Sequence, residues 1–388
     1  MLERKKAMPP TEEPFHLAFV TAYPPDRGRL SEYAEALLDA MIRRKRRLRI
    51  VVHSDQPHAG GPRLVVKPSW VPDNPFSLIT LFIKLLRSRA PIIHFNVHFA
   101  VFGRSRLSNF LGFLAIKLVN LFKSLFHVKT VLTLHNMPEA INVECMKLRR
   151  SFINKLGFLV AEKMSMSCDR VVVHLQLYRK LLQHRFRRDV THIPHGSWHL
   201  AKEQEASRKD SLMFIGYLSP AKDLEVLKEA YLKVKSKYPW VKLFLSTSPH
   251  PNFPETIHQL EVLRGVEGIE VLGYVPNHAL PNYLARSIAV VLPYKTATGS
   301  SGVVHLVASL GIPVIATDLP DMRELRKRGA GIMLVPLSSD KICEAVEKLM
   351  ENEGLRDELS RKNLEFSQKY SWDAVAEAYL DLYRELIA

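Results

Sequence analysis

Short apolar runs rich in Val, Ile, Leu and Phe alternate along this chain with longer stretches whose apolar positions recur every three or four residues. The runs predict strands at Leu17–Thr21, Ile50–His53, Ile92–Phe95, Thr130–Leu134, Val171–His174 and His192–Ile193. Between them the helical period predicts helices over Leu30–Arg44, Leu78–Arg87, Leu107–Phe126, Leu148–Met166 and Gln176–Phe186. A polar stretch from Trp198 to Asp210 then reads as a linker, and the alternation restarts. Strands fit Leu212–Ile215, Val241–Ser246, Ile269–Leu272, Ile288–Leu292, Val314–Ala316 and Ile332–Val335. Helices fit Leu224–Lys237, Thr256–Arg264, Leu280–Arg286, Val303–Leu310, Met322–Lys327 and Asp340–Met350, and a last helix, Trp372–Leu386, follows a Ser371 N-cap. Strand–helix alternation implies parallel sheets covered on both faces, here two doubly wound units in tandem. Such a pair sets two rows of strand C-termini across a cleft, where ligands bind in sheets of this kind.

Chemistry-bearing residues fall at predicted strand ends. In Thr298-Gly299-Ser300-Ser301-Gly302 a strand gives way to a small-residue turn and then a helix. Glycine lets a backbone approach a ligand closely, and exposed N–H groups at a helix start favour a phosphate. Gly216-Tyr217-Leu218-Ser219-Pro220-Ala221-Lys222 also follows a strand, and a Lys at that turn can neutralise a departing diphosphate. His135, in Thr133-Leu134-His135-Asn136, can hydrogen-bond a sugar hydroxyl. His195, in Ile193-Pro194-His195-Gly196, closes the first unit. His94 and His98 bracket a strand end instead of sharing a helix face, which is not the pattern of a metal pair.

Together these segments resemble family 4 of the retaining, nucleotide-sugar-dependent glycosyltransferases, over nearly the whole chain. Tyr23-Pro24-Pro25-Asp26-Arg27-Gly28 is similar to the family's N-terminal "PP..GG" loop. TLHN (133–136), IPHG (193–196), GYLSPAK (216–222) and GIPVIATDLPDMREL (311–325) are similar to its later motifs in order and spacing. The resemblance implies an α/β protein of the GT-B fold, two Rossmann-like doubly wound parallel-sheet domains facing a central cleft. Residues 1–205 would be the acceptor-side domain and 206–370 the nucleotide-sugar domain. Residues 371–388 would be a helix crossing back to the first domain. It also implies roles: Gly28 near the diphosphate and donor sugar, His135 on the donor sugar, Lys222 on the diphosphate. The amides of Ser300, Ser301 and Gly302 would hold phosphate oxygens, the base would rest near Gly273, Tyr274 and Val275, and Glu324 would lie beside the donor. No metal and no cofactor beyond a UDP- or GDP-sugar donor is implied.

Three departures qualify the resemblance. Tyr217 stands where the family has Arg, and Arg29 where it has a second Gly. Thr298 and Leu306 stand where it has two acidic residues. Either Ser300, Ser301 and His305 make substitute contacts, or the chain is a non-catalytic sugar-nucleotide-binding subunit. The nonhydrolysing sugar-nucleotide epimerases share the two-domain fold, but their acidic catalytic pattern is not found here. No carboxylate stands at a matched position to form a covalent intermediate. The resemblance implies hexosyl transfer with retention, in which the leaving phosphate takes the acceptor proton.

Charge adds a partner. The net charge is +16, and residues 1–200 hold 32 Lys and Arg against 14 Asp and Glu, whereas the remainder holds 23 against 25. No acidic residue lies between Asp73 and Glu139. The helix predicted over Leu107–Phe126 has a broad apolar face flanked by Lys117, Lys123 and Lys129 and reads either as a core helix packed on the sheet or as an interfacial helix; Arg43-Arg44-Lys45-Arg46-Arg47 is a five-cation run. Basic and apolar faces together favour an anionic bilayer, so the expected setting is cytoplasmic and peripheral on the inner membrane face, with a lipid-linked or anionic acceptor. Nucleic acid ranks last, because the cations carry no reader motif. Cys145, Cys168 and Cys343 form no CxxC pair and read as reduced thiols. No apolar run reaches a span length, and the N-terminal residues have no signal-peptide core.

Overall fold

The computed structural model describes residues 15–25, 28–137, 151–200, 209–250, 253–296 and 299–388. The first domain is built on strands β1 (Phe15–Val20), β2 (Leu48–Ser54), β3 (Leu64–Pro68), β4 (Ile92–Val97), β5 (Lys129–Leu134), β6 (Arg170–Val173) and β7 (Thr191–His192). All pairs are parallel, in the order β3-β2-β1-β4-β5-β6-β7. Its helices are α1 (Arg29–Arg44), α2 (Pro75–Leu86), α3 (Arg106–Phe122), α4 (Phe152–Ser165) and α5 (Gln176–Phe186). Alternate residues of β1 serve opposite faces: Leu17 and Phe19 pack toward α1, and Ala18 and Val20 join the core under α2, α3 and α4. Two-sided burial is why these strands read as near-continuous apolar runs.

The second domain repeats the plan with β8 (Ser211–Ile215), β9 (Lys242–Ser246), β10 (Ile269–Val271), β11 (Ser287–Leu292), β12 (Val314–Thr317) and β13 (Ile332–Val335). They pair in parallel as β10-β9-β8-β11-β12-β13, the same order as the first six strands of the other sheet. Its helices are α6 (Leu224–Lys237), α7 (Ile257–Arg264), α8 (Leu280–Leu284), α9 (Gly302–Ala308), α10 (Pro320–Lys327), α11 (Ser339–Glu351) and α12 (Glu353–Lys369). In both sheets the order reverses between the first and fourth strands, the switch point at which sheets of this kind bind ligands.

A last helix, α13 (Trp372–Ile387), packs on α1 of the first domain. Ser371 caps it by accepting from the Ala374 amide. Its buried side chains include Trp372, Tyr379 and Tyr383, each worth about 1.5–3 kcal/mol of apolar burial. The two tyrosine hydroxyls are satisfied internally. Tyr379 bonds Tyr33 of α1 at 3.2 Å and Thr133 of β5 at 2.8 Å, and Tyr383 meets His94 of β4, whose other nitrogen meets Thr133 at 2.8 Å. Arg44 of α1 pairs with Glu377 at 2.6 Å on the rim of the same contact.

Two elements escape the sequence pattern. β3 is a five-residue edge strand with only Leu64 and Val66 buried, too short to carry a period. α12 is largely polar, with Leu359, Asn363, Phe366 and Ser367 as its buried face. One expectation needs correction. Although Lys117 and Lys123 interrupt the apolar run, the helix from Arg106 to Phe126 is long and apolar enough to cross a membrane. It does not do so within this fold, because Phe113, Ile116 and Val119 pack into the first domain's core.

Candidate functional site

The register of the first sheet brings the ends of β1, β4 and β5 to one edge. Asn96 of β4 donates to Thr21 at 2.9 Å, which leaves its Oδ1 to accept from Nε2 of His135 at 2.7 Å. That bond places the His135 proton on Nε2 and leaves Nδ1 as an acceptor for a hydroxyl. Burial, followed by the neighbouring His174 and His195, holds the His135 pKa well below the usual histidine range, so the ring is neutral. Tyr33 packs edge-on against it with centroids 4.5 Å apart.

Facing this edge is the turn between β11 and α9. Gly299 adopts φ +106°, and a Cβ there would lie 2.5 Å from the His135 carbonyl oxygen. Both demands require glycine, and the second joins the turn directly to the opposite domain. Ser301 N-caps α9, and a Cβ on Gly302 would lie 3.6 Å from Nε2 of His195. His305 is fully buried; its nitrogens meet Ser197 at 3.1 Å and Ser300 at 3.4 Å. It is therefore part of the turn's scaffold. Leu306 is fully buried in the α9 core and offers no polar contact. Thr298 and the side chain of Arg29 lie outside the described residues.

The turn after β8 completes the site. Gly216 has φ +117°, and a Cβ there would stand 3.0 Å from Lys222 Nζ and 3.8 Å from Val303 in the first turn of α9. The Gly216–Lys222 loop and the Gly299–Gly302 turn thus share one space opposite His135. Lys222 donates to the Tyr217 carbonyl, and its ammonium lies 5.6 Å from the ring centres of Phe214 and Tyr294. The Tyr217 ring meets His250 at 5.9 Å. The His250 pKa is lowered by burial, then by the charges of Lys222 and of Arg104 from the first domain. His98, after β4, is pushed down to about 4 by burial and by His250. His250 thus lies within electrostatic reach of Lys222 in its own domain and of Arg104 in the other, and it lowers the His98 pKa in turn. Sequence reading missed His98, His250 and Arg104 as site residues. Each follows a strand C-terminus, the one signal that could have found them.

Other expected positions are distributed around this centre. Gly28 precedes α1 and accepts from the Ser31 and Glu32 amides at 3.0 and 3.1 Å. Gly273, Tyr274 and Val275 follow β10, and the Tyr274 hydroxyl reaches Glu32 of α1 at 3.5 Å. Beside them opens a pocket of about 480 Å³ whose wall includes Glu32, Glu35, Asp39, Asn277 and Trp372. Desolvation raises the Glu35 and Asp39 pKa values. Arg43 shares this wall and partly offsets the desolvation of Asp39. Glu324 is not brought into the site. Its carboxylate accepts from the Gln176 and Leu177 amides at 2.6 and 2.9 Å, capping α5 of the first domain from α10 of the second.

Residues 209–352 match the family model described as "Glycosyl transferases group 1". Curated relatives include a D-inositol 3-phosphate glycosyltransferase of Nocardioides sp., 26% identical over 189 residues, 45% of this chain and 41% of that one. An alpha-D-kanosaminyltransferase of Streptomyces kanamyceticus is 24% identical over 182 residues, 45% of each chain. These matches span less than half the length of either relative. Among solved structures, sucrose-phosphate synthase from Thermosynechococcus elongatus superposes with TM-score 0.71 at 15% identity, covering 96% of this chain and 99% of that one. HepE from Anabaena, in complex with UDP-glucose, gives TM-score 0.70 at 15% identity, covering 95% and 99%. The fold is GT-B, and the family match falls on the second domain.

Proposed function

We propose that this chain is a retaining, metal-independent hexosyltransferase that moves a sugar from a UDP- or GDP-hexose to an acceptor hydroxyl. The observation that carries the reading is the convergence of the Gly216–Lys222 loop and the Gly299–Gly302 turn opposite His135, with Lys222 and Arg104 supplying charge from the two domains. The similarity to HepE with UDP-glucose favours UDP within that choice.

In this reading the amides of Ser300, Ser301 and Gly302 and the ammonium of Lys222 hold the diphosphate. Nδ1 of His135 accepts from a donor-sugar hydroxyl. The acceptor oxygen bonds to the anomeric carbon on the face from which the phosphate departs. The carbon–oxygen bond to the diphosphate breaks, and the acceptor proton passes to the leaving phosphate oxygen. Among the described residues the groups opposite His135 are imidazoles, an ammonium and a guanidinium, which favours a mechanism without a glycosyl-enzyme intermediate. Catalysis then rests on positioning and on fixed positive charge at the leaving group. Charge compensation by Lys222 and Arg104 predicts transfer that persists in EDTA.

The test is a panel of radiolabelled nucleotide hexoses, with product anomers assigned by NMR. Lys222→Ala should lower transfer about tenfold or more, about 1.4 kcal/mol in barrier; unchanged turnover removes Lys222 from the mechanism. The buried, apolar Leu306 favours one second reading, a donor-binding subunit without transfer. Calorimetric binding of a nucleotide sugar with no transfer to any acceptor would establish that alternative.

A further inference from the structure

The apolar surface of this protein is concentrated in one place. Among the described residues twenty large apolar side chains are exposed, and thirteen lie on α2, on α3 with the 3-10 turn that extends it, and on α4. These helices lie side by side, with α3 between the other two. On α2, Phe76 is 78% exposed and is followed by Ile79 and Ile83 at helical spacing, opposite the buried Leu78, Leu81 and Leu85. On α3 and its extension, Leu107, Phe110, Leu121 and Leu125 look outward while Phe113 and Ile116 look in, and Leu125 is 74% exposed. On α4, Phe152 is 79% exposed and is followed by Leu156 and Leu159. Exposed apolar side chains gathered on three adjacent helices mark an interaction surface.

We propose that this face is a docking surface for an anionic lipid bilayer. The charge around it selects that occupant. Arg106, Lys117, Lys155 and Lys163 are exposed on the same helices. No acidic residue occurs between Asp73 and Glu139, so the first two helices of the face carry cations alone. A second copy of the face would set like charges together, whereas an anionic headgroup layer complements them while its acyl region accepts the phenylalanines and leucines. The helices lie on the bilayer without crossing it, because the inward half of α3 belongs to the core. Their placement links the surface to the cleft. Ser105 N-caps α3 and adjoins Arg104, whose charge is felt by His250 across the cleft. A docked molecule therefore opens its cleft beside the headgroups, where an acceptor held in the membrane would present a hydroxyl.

Flotation of the full chain with phosphatidylcholine vesicles, with and without phosphatidylglycerol, tests the proposal without any turnover assay. We expect capture by the phosphatidylglycerol vesicles, weakening as salt is raised. The exposed-site variant Phe76→Ser/Leu121→Ser/Leu125→Ser should lower the bound fraction about tenfold while keeping the wild-type melting midpoint. In a second variant, Lys117→Gln/Lys155→Gln should reduce the preference for phosphatidylglycerol about tenfold. No binding of the wild type at low salt, or equal binding to both vesicle types, overturns the proposal. So does a wild-type dimer that the Ser variant dissociates while neither protein binds vesicles.

Discussion

The two halves of this molecule share a strand order and differ in nearly everything they show to the outside. The second sheet and its helices have a water-adapted surface. Acidic and basic residues are balanced there and pair across neighbouring elements, as in Lys237–Glu347 at 2.6 Å, Lys242–Glu270 at 2.8 Å and Arg323–Asp318 at 2.6 Å. The first sheet is covered by helices that expose phenylalanine and leucine and carry unbalanced cations. It also holds most of the buried histidines. His53, His94, His174 and His195 belong to it, and among the described residues His305 is the one buried histidine of the second. One topology thus serves two surfaces, because the parallel sheet constrains inward residues and leaves outward ones open to selection by whatever they meet.

Acid should separate the halves most strongly. Burial lowers the His94 and His174 pKa values to about 3 and those of His53 and His98 to about 4. In the unfolded chain a histidine titrates near 6.5. Below that value the unfolded state binds the extra proton, so stability is retained above about 6.5 and lost as pH falls toward the folded values. Each ring contributes about 1.4 kcal/mol per pH unit in that window. Urea unfolding followed at pH 7 and pH 5 by hydrogen exchange should show the first domain opening before the second. Equal loss in both halves breaks the contrast.

Where the halves touch, Gly299→Ala combines a left-handed backbone with a contact on the His135 carbonyl. Transfer should fall about 100-fold, about 3 kcal/mol in barrier, with the circular dichroism of both domains retained. A tenfold smaller loss would mean the turn can retreat from His135 without consequence.

Arg104→Gln asks whether the first half supplies charge that Tyr217 withholds from the second. We expect about a tenfold fall in kcat/KM, with the His250 pKa moving up, read by NMR titration. An unmoved His250 resonance would place Arg104 outside the site.

The smallest effect belongs to Glu324→Gln, which keeps the shape of the α5 cap and removes its charge. A loss of about 1 kcal/mol in stability is expected, seen as a lower urea midpoint, with donor affinity unchanged. Weaker donor binding would return Glu324 to the ligand site.

Much of this was legible in the chain because of burial. Both faces of β1, β4, β8 and β11 are covered, so their apolar runs stand out and the strand–helix alternation follows. The small-residue turn at Gly299–Gly302 and the Lys222 loop were legible because their residue types are tied to backbone shape and charge. β3 and α12 were not, since one is an edge and the other a mostly wet helix. Glu324 sat among motif residues in the sequence, yet its carboxylate is engaged by a helix 148 positions away in the chain.

By itself the sequence determined the doubly wound class, the two-unit division, the strand-end location of the chemistry and the charge asymmetry. All of these are local periodicity or composition. The tertiary structure alone decided that Arg104 of the first domain comes within electrostatic reach of His250 in the second and that His305 is scaffold. It alone decided that α2, α3 and α4 align their apolar faces into one surface. Those outcomes depend on which residues of distant segments come to lie together, and period and spacing along a chain carry no information about that.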